Sequence, residues 1–307
     1  MSGAGRRRGA TFTALAGRAV IVCAMLVYAA ASPARFAEPV GPVQLSARYA
    51  ALAGKLGQNQ YDRPIYLESS ESARDVGGEV YAVFDYPFAV FTSALRGARD
   101  WCDVLLLHVN TKNCRVVEED GRTLLDMGLG GKNDQPASEA YRMELDYRLA
   151  RSGPDYFAMQ LQAQTGPLAT SNYRILVEAV PLEGGRTFMH FTYAYSYGLP
   201  GKLAMQAYLG TTGRGKVGFT VVKQGPGSEP QYVGGVRGAV ERNVMRYYLA
   251  IDAYLGALRD PPPERLERRL QAWFTATERY PRQLQETSRA EYLAMKRSEY
   301  RRQQAAR

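Results

Sequence analysis

The sequence predicts an α+β fold in which an antiparallel sheet of seven strands packs against one long helix near the C-terminus. Between residues 79 and 197, segments with strand character are separated by short connections rich in glycine, aspartate and proline. Such connections are typical of antiparallel hairpins. Apolar residues then recur at helical spacing through residues 237–258, which indicates a single long amphipathic helix.

The first strand and the two helices after it are predicted from residue order. Val80, Ala82 and Phe84 alternate with other residues, which is the period of a strand. Pro87 ends this strand and suits the first turn of a helix, and two short helices are predicted between Pro87 and Leu107. Six further strands are predicted at 109–118, 122–129, 139–150, 155–164, 173–181 and 186–197.

The remaining segments are predicted to flank or interrupt this domain. Residues 38–60 form an N-terminal helical extension, because apolar residues recur there at helical spacing. The main domain covers residues 61–260 and includes an inserted glycine-rich hairpin at 198–236. After three consecutive prolines, residues 264–307 form a basic amphipathic helical tail.

The N-terminus has the pattern of a secretory signal peptide over residues 1–31. Three arginines precede an uncharged apolar run that ends at Ala31, and small residues follow it. Cleavage is predicted after Ala31 or after Ala34, which places the mature protein in the periplasm or outside the cell. The alternative is an uncleaved N-terminal anchor.

Removal of the signal leaves Cys102 and Cys114, which are predicted to form a disulfide because the protein is expected to be exported. The bridge closes a loop of roughly a dozen residues and stabilises the fold by about 3 kcal/mol. Two buried free thiols are the alternative. A metal site is not predicted, since the spacing is not C-x-x-C and His108 is the one nearby imidazole.

The excess of positive charge lies at the two ends of the chain. The full sequence has 39 lysines and arginines against 30 acidic residues, but residues 32–263 contain 24 of each. From Glu264 onward, 11 basic residues accompany 6 acidic ones. Because the central domain is neutral and export is expected, no nucleic-acid partner is predicted.

The order of elements resembles that of the START-related helix-grip superfamily, also called SRPBCC. The likeness covers residues 79–197 and 237–258, and the stretch DYPFAVFTSALRGARDWCDVL resembles the start of exported bacterial members. The resemblance implies a curved sheet wrapped around the long C-terminal helix, with a deep apolar cavity between them. The hairpin at 198–236 and the tail after Pro263 depart from the plain pattern.

Large amphipathic side chains favour a cavity that holds a hydrophobic small molecule or a lipid, without a cofactor. Tyrosine combines apolar area with a hydroxyl group, and one strand places four aromatic residues on a single face. The predicted ligand-binding residues are Phe157, Met159, Phe191, Tyr193, Tyr195, Tyr197, Tyr247 and Ile251. The alternative for each of them is ordinary core packing. The first functional hypothesis is therefore an exported binding or transport protein.

An enzyme on the same scaffold is the second hypothesis. A histidine paired with a carboxylate can act as general acid and base in a cyclase or hydratase, and the candidate pair is His190 with Glu144 or Glu178. A structural histidine is the alternative. The stretch GTTGRGK at 210–216 has P-loop spacing, but Val217 stands where that motif needs serine or threonine, so no phosphate-binding loop is predicted.

The third hypothesis assigns the function to the basic tail, as an interaction module of the cell envelope. Trp273 and Phe274 lie on an apolar stripe, which is compatible with peripheral membrane contact through 264–307 or with packing against the domain. A basic rim is a further possibility, suited to an anionic lipid headgroup or explained by solvated charge that pairs with Glu241. Its residues are Arg214, Lys216, Arg237, Arg242 and Arg246.

Overall fold

The computed structural model describes Met1 and residues 38–211, 213–224 and 229–305. Ala31 and Ala34, with the rest of the predicted signal peptide after Met1, lie outside the described residues. From residue 38 onward the chain belongs to one unit.

The main sheet has eight strands, and every neighbouring pair is antiparallel. Its spatial order is β1-β2-β8-β7-β6-β5-β4-β3. The strands are β1 (Ile65–Glu71), β2 (Asp75–Phe84), β3 (Thr111–Glu119), β4 (Arg122–Leu129), β5 (Tyr141–Ser152), β6 (Phe157–Thr165), β7 (Thr170–Leu182) and β8 (Arg186–Tyr197). The α+β class and the antiparallel sheet are confirmed, and the strand count exceeds the predicted seven by one.

The strand missing from the prediction is β1, at one edge of the sheet. Ile65 and Leu67 are buried, but the second half of this strand reads ESSE and is largely open to solvent. An edge strand with two buried apolar residues has too little alternation to stand out from a loop.

The long helix α5 (Gly235–Gly256) packs against one face of the sheet, here called the inner face. It contacts β1, β2 and β8. Gly78 of β2 permits this approach, since a Cβ at that position would lie 2.6 Å from Val240 Cγ1 and 2.8 Å from Val244 Cγ2. The arrangement of one long helix on an antiparallel sheet is the helix-grip architecture that the resemblance implies.

Two short helices connect β2 to β3, as predicted: α2 (Phe88–Leu95) and α3 (Ala98–Leu106). Cys102 of α3 and Cys114 of β3 form the predicted disulfide, with their Cα atoms 5.2 Å apart. The bridge ties the second short helix to the edge strand that follows it.

The opposite face of the sheet, here called the outer face, is covered in part by α1 (Pro42–Gly57). Leu45, Leu52 and Leu56 are buried in a second apolar cluster, and Tyr49 lies 5.0 Å from Phe188 of β8 between ring centroids. Both faces of the sheet are therefore packed along part of their area.

The segment predicted as a glycine-rich hairpin contains a helix, and only a small part of it forms a hairpin. Residues Leu199–Gly210 form a helix, α4, and only β9 (Val221–Lys223) and β10 (Gln231–Tyr232) form a short hairpin. Pro200 lies in the first turn of α4, where proline is tolerated. Lys216 is followed by irregular backbone and β9, without the helix that a phosphate-binding loop needs.

The C-terminal tail is packed against the domain as α6 (Arg265–Glu278), α7 (Pro281–Leu284) and α8 (Arg289–Ala305). Trp273 and Phe274 are buried, and their rings lie 4.9 Å and 5.2 Å from that of Tyr292. The apolar stripe therefore packs inward, against α8. In the described part of the chain, no helix has the length and apolar character needed to span a bilayer.

Helix α8 is attached to β3 by a buried charged network. The carboxylate of Glu299 accepts hydrogen bonds from Lys112 Nζ at 3.0 Å and Lys296 Nζ at 2.8 Å, and all three side chains are fully buried. Lys296 Nζ also donates to the carbonyl oxygens of His108 and Thr111, each at 2.7 Å. Burial lowers the pKa of Lys296 to about 8 although Glu299 opposes the shift.

We expect Glu299→Gln to destabilise the protein by about 3–5 kcal/mol, because removal of one partner leaves buried charge uncompensated. Urea denaturation followed by circular dichroism measures the loss. Glu267→Gln on α6 is the matched control. The side chains of its ion pair with Arg297 are 44% and 43% exposed, so the pair should contribute no more than about 1 kcal/mol. Equal stability changes for the two variants would contradict the assigned role of Glu299.

Candidate ligand-binding site

A cavity of about 350 Å³ lies between the inner face of the sheet and α5. Strands β4, β5, β7 and β8 form one side, and the N-terminal half of α5 forms the other. The wall also includes residues of the turns before β3 and after β4, of the turn before β7, Met205 of α4, and Glu286 of the segment between α7 and α8. Segments predicted to be peripheral therefore take part in the cavity.

The sheet side of the cavity is apolar and rich in aromatic rings. Met127, Met143, Leu145 and Ile175 line it together with tyrosines 173, 193 and 195. The ring centroids of Tyr173 and Tyr195 are 5.1 Å apart, and those of Tyr193 and Tyr247 of α5 are 5.7 Å apart. This surface suits the body of an apolar or aromatic ligand.

The tyrosine hydroxyls on this wall remain protonated at neutral pH. Burial raises the pKa of Tyr173 to about 12. Burial also raises the pKa of Tyr193, with Tyr173 and Tyr247 as further causes, and raises the pKa of Tyr247. The wall therefore offers neutral hydroxyl groups that can donate or accept a hydrogen bond.

The opposite end of the cavity is polar and is here called the polar end. Its residues are His108, Lys132, Arg242, Asn243, Arg246 and Glu286. Arg242 and Arg246 are 3% and 4% exposed. Arginines so deeply buried need hydrogen-bond partners or a counter-charge.

Glu286 supplies a counter-charge at the polar end. Its Oε1 accepts from Arg246 Nη2 at 2.6 Å, and its Oε2 accepts from Lys132 and lies 3.6 Å from Lys216 Nζ. Burial opposes ionisation, but Arg246 and Lys132 outweigh it and hold the pKa of Glu286 below its usual range. Glu286 is thus a carboxylate at neutral pH.

His108 is a neutral donor at the same end. Burial, with Arg246 and Lys296 nearby, holds the pKa of His108 well below its usual range. Its Nδ1 accepts the Asn110 backbone N–H at 3.2 Å, so the proton of the neutral ring is assigned to Nε2. The ring also lies 5.0 Å from that of Tyr247.

Three of the eight residues predicted to bind a ligand line the cavity: Tyr193, Tyr195 and Tyr247. Phe157, Met159, Phe191 and Ile251 belong to the packed core, each with 0% exposure. Tyr197 is directed elsewhere, since its hydroxyl donates to Glu71 Oε1 at 3.1 Å. These five positions do not line this cavity, because they pack among neighbouring core residues.

His190 and Glu178, proposed as a catalytic pair, are adjacent but lie on the outer face. His190 Nδ1 is 3.1 Å from Glu178 Oε2, and its Nε2 is 3.0 Å from Glu79 Oε2. The imidazole stacks on Tyr81 with a centroid distance of 4.3 Å. Because successive residues of a strand point to opposite faces, this cluster cannot reach a ligand on the Phe191 side of the sheet.

Two further contacts give this outer-face cluster a structural role. Glu178 Oε1 accepts from the Val40 N–H at 2.8 Å and from the hydroxyl of Tyr156. The cluster therefore holds the start of α1 against the sheet. Glu144, the other proposed partner of His190, lies on β5 and pairs with Arg142 at 2.8 Å, so the structure does not bring it to His190.

The predicted basic rim is divided in the structure. Arg242 and Arg246 line the cavity, and Lys216 lies near Glu286. Arg237 donates to Ser69 Oγ at 2.7 Å and lies 3.9 Å from Glu241. Glu241 itself is buried and accepts the backbone N–H groups of Phe219 and Thr220, so it anchors the segment before β9.

Sequence reasoning missed Lys132, Asn243 and Glu286. Asn243 precedes Tyr247 by four residues on α5, so helical spacing places both on one face. Lys132 and Glu286 are 154 residues apart, and no local pattern connects them. Among the described residues, no group of three or more His, Cys, Asp or Glu side chains is arranged to hold a metal ion.

Comparisons with known proteins give weak likenesses. No family model matches the chain, and no curated protein matches it. Similar solved structures include norcoclaurine synthase from Thalictrum flavum (12% identity, 48% of this chain and 80% of that chain, TM-score 0.31). The Zhui aromatase/cyclase from Streptomyces sp. R1128 is 12% identical over 48% of this chain and 87% of that chain, with a TM-score of 0.30. Ara h 8.0201 is 9% identical over 48% and 91%, with a TM-score of 0.29.

These three structures do not indicate a ligand or an activity for this chain, since their sequence identities are below 25% and their TM-scores are below 0.5. The fold class follows from the sheet and helices themselves. The function proposed below depends on the cavity of this chain.

We expect the docking of α1 to weaken as pH rises above about 6.5, the ordinary pKa of histidine. Burial alone would lower the pKa of His190, but hydrogen bonds to Glu178 and Glu79 outweigh it and raise it. A raised folded-state pKa contributes stability that is complete below the unfolded pKa and is lost as pH rises through the folded value. Amide exchange of residues 42–57 between pH 6 and pH 9 measures the effect.

His190→Gln is the control for this pH dependence, because other titrating groups such as Lys296 are common to both proteins. The variant should lose the increase in α1 exchange over this pH range, after correction for the intrinsic exchange rate. Identical pH profiles for the two proteins would contradict the role assigned to His190.

Proposed function

We propose that this protein is an exported binding protein that holds a hydrophobic small molecule between the sheet and α5. The observation that carries the proposal is the cavity itself. Its wall combines methionine, isoleucine and tyrosine side chains on the sheet with polar groups at one end. Ligand sites in proteins commonly have this composition, and about 350 Å³ is near the lower end of their volume range.

The neighbouring core supports a specific site over general loose packing. Phe84, Phe91 and Phe157 form a filled aromatic layer beyond the cavity, with centroid distances of 5.6 Å and 6.3 Å. Such close contact between side chains is normal in protein interiors. The cavity itself lies near the N-terminal half of α5.

Helix α4 and the residues beneath it are the proposed route for ligand access. Leu168, Leu199 and Leu203 are 44%, 71% and 58% exposed, and such apolar exposure is common at ligand and interaction sites. Leu168 and Ala169 have φ values of 57° and 56°, and non-glycine residues in this conformation store strain. Gly201 allows α4 to lie directly on this turn, since its Cβ would be 2.8 Å from the Ala169 carbonyl oxygen.

No specific observation favours the two alternative functions. The enzyme hypothesis was based on His190 or a buried carboxylate, and the candidates His190, Glu144 and Glu178 do not line the cavity. The interaction hypothesis relied on the tail, whose apolar side is buried and whose connecting segment contributes Glu286 to the cavity wall. Membership of the exported START-related group remains part of the proposal.

We expect Ala239→Phe to weaken binding of the neutral dye N-phenyl-1-naphthylamine by at least about tenfold, because the added ring occupies the cavity. Fluorescence titration of the purified protein gives the Kd. Ala51→Phe, on the exposed side of α1, is the matched control and should bind like the wild type. Thermal melts check folding, since overpacking can cost about 1–3 kcal/mol. Dye binding unchanged in Ala239→Phe, or absent from the wild type, would count against the proposed cavity function.

Export is tested separately. The Cys102–Cys114 disulfide supports it, since structural disulfides persist mainly in oxidising compartments. We expect the protein recovered from the periplasm or medium of an exporting bacterial host to begin at Ser32 or Arg35, as intact-mass spectrometry would show. A full-length chain in the membrane fraction would instead support the uncleaved anchor.

A further inference from the structure

The charges on the cavity wall are unequal. Among the described lining residues, the cationic side chains are Lys132, Arg242 and Arg246, and the one carboxylate is that of Glu286. His108 adds no charge, because its pKa is held well below the usual range by burial. A wall with excess positive charge and little exposure to water favours an anion, since interactions between charges strengthen in a medium of low polarity.

Two buried nitrogen atoms at the polar end also have unused hydrogen-bonding capacity. Arg246 Nε makes no hydrogen bond to any described residue, although Arg246 Nη2 binds Glu286 and its Nη1 donates to Asn243 at 3.4 Å. His108 Nε2 is buried and makes no hydrogen bond of ordinary geometry to a described residue, although the Asn243 side chain interacts with this ring. Buried donors left without a partner are costly, and an oxyanion at this position would accept from them.

The position of Glu286 shows what kind of group the polar end accepts. Its carboxylate lies between Arg246 and Lys132, with Lys216 at 3.6 Å. Glu286 comes from the short segment between α7 and α8, and not from the sheet or α5. The protein therefore places one of its own carboxylates against the polar end of the cavity, next to the tyrosine wall.

We propose that the ligand is an amphiphile with a carboxylate or phosphate head, and that this head binds Arg246 and Lys132 in competition with Glu286. This inference rests on the proposed binding function. The apolar body contacts Ile175, Tyr195 and the neighbouring wall, and the head takes up the donors at the polar end. Guanidinium groups bind both carboxylate and phosphate through paired hydrogen bonds, so the two heads share one chemistry.

Isothermal titration of the full secreted chain tests the proposal with four probes below their aggregation concentrations: dodecanoate, dodecyl phosphate, dodecanol and inorganic phosphate. We expect at least one anionic amphiphile to bind about tenfold or more tighter than dodecanol. The comparison of the two anionic probes identifies the preferred head. Inorganic phosphate should bind far more weakly than either, because it lacks the apolar body.

Variants separate the role of charge from that of the apolar wall. Lys132→Gln and Arg246→Gln should lower the ratio of anion affinity to dodecanol affinity severalfold, whereas Glu286→Gln should strengthen anion binding. Lys132 is the less buried of the two cations, so its variant keeps the test valid if Arg246→Gln does not fold. Arg259→Gln, exposed beyond the end of α5, is the matched control and should match the wild type.

The outcomes distinguish this inference from the function on which it rests. Equal affinity for dodecanol and both anions would overturn the anionic-head proposal and leave the cavity function intact. Weaker anion binding in Glu286→Gln would overturn the proposed competition. Tight binding of inorganic phosphate alone would show a simple anion site. If no amphiphile binds while the protein is folded, the proposed function itself fails.

Discussion

The carboxylate of Glu299, held between two fully buried lysines, fixes the C-terminal helices to the sheet. Lys296 extends this network to the carbonyl oxygens of His108 and Thr111, which flank the turn between α3 and β3. That turn presents the His108 ring to the cavity. The network also holds the middle of α8, the helix that directly follows the segment carrying Glu286. The cavity wall consequently depends on an interaction that lies outside it.

The contact between α8 and β3 shows that the basic tail and the neutral domain are not separate units. By sequence, a neutral domain is followed by a basic tail, and the two can be treated as separate units. In the structure, Cys114 of the edge strand β3 donates its backbone N–H to Gln303 of α8 at 2.8 Å. The tail therefore covers a sheet edge that would otherwise be open to pairing with another chain, and its acidic residues neutralise part of the domain's buried basic charge.

The sequence predicted the elements with strong periodicity and missed those without it. Seven strands, α2, α3 and α5 follow from alternation, helical spacing and turn residues. Strand β1 and helix α4 do not, because one has two buried apolar residues and the other contains Pro200 and Gly201 near its start. The disulfide was predicted from compartment and cysteine number, and its geometry agrees.

The site was less predictable than the fold, for a physical reason. The alternation of residues along β8 correctly places Tyr193 and Tyr195 on the opposite face from His190. It does not show at which residue of the strand the packed core gives way to the cavity. Phe191 and Tyr193 share a face, yet only Tyr193 lines the cavity. Glu286 reaches Lys132 across 154 residues of chain, and such a contact is set by tertiary structure alone.

The close contact between α5 and the sheet at Gly78 limits how the size of the cavity can change. Val240 and Val244 pack directly on the backbone of β2. This contact fixes the distance between α5 and the sheet at Gly78, where even a methyl group would not fit. On the sheet side the cavity is bounded by β4, β5, β7 and β8, and its Tyr193 is the strand partner of Gly78. Under the proposed function, the volumes of the Met127, Met143 and Ile175 side chains set the size of ligand that fits. Substitution of those residues would adapt the cavity to a larger or smaller molecule, while α5 would keep its position on the sheet.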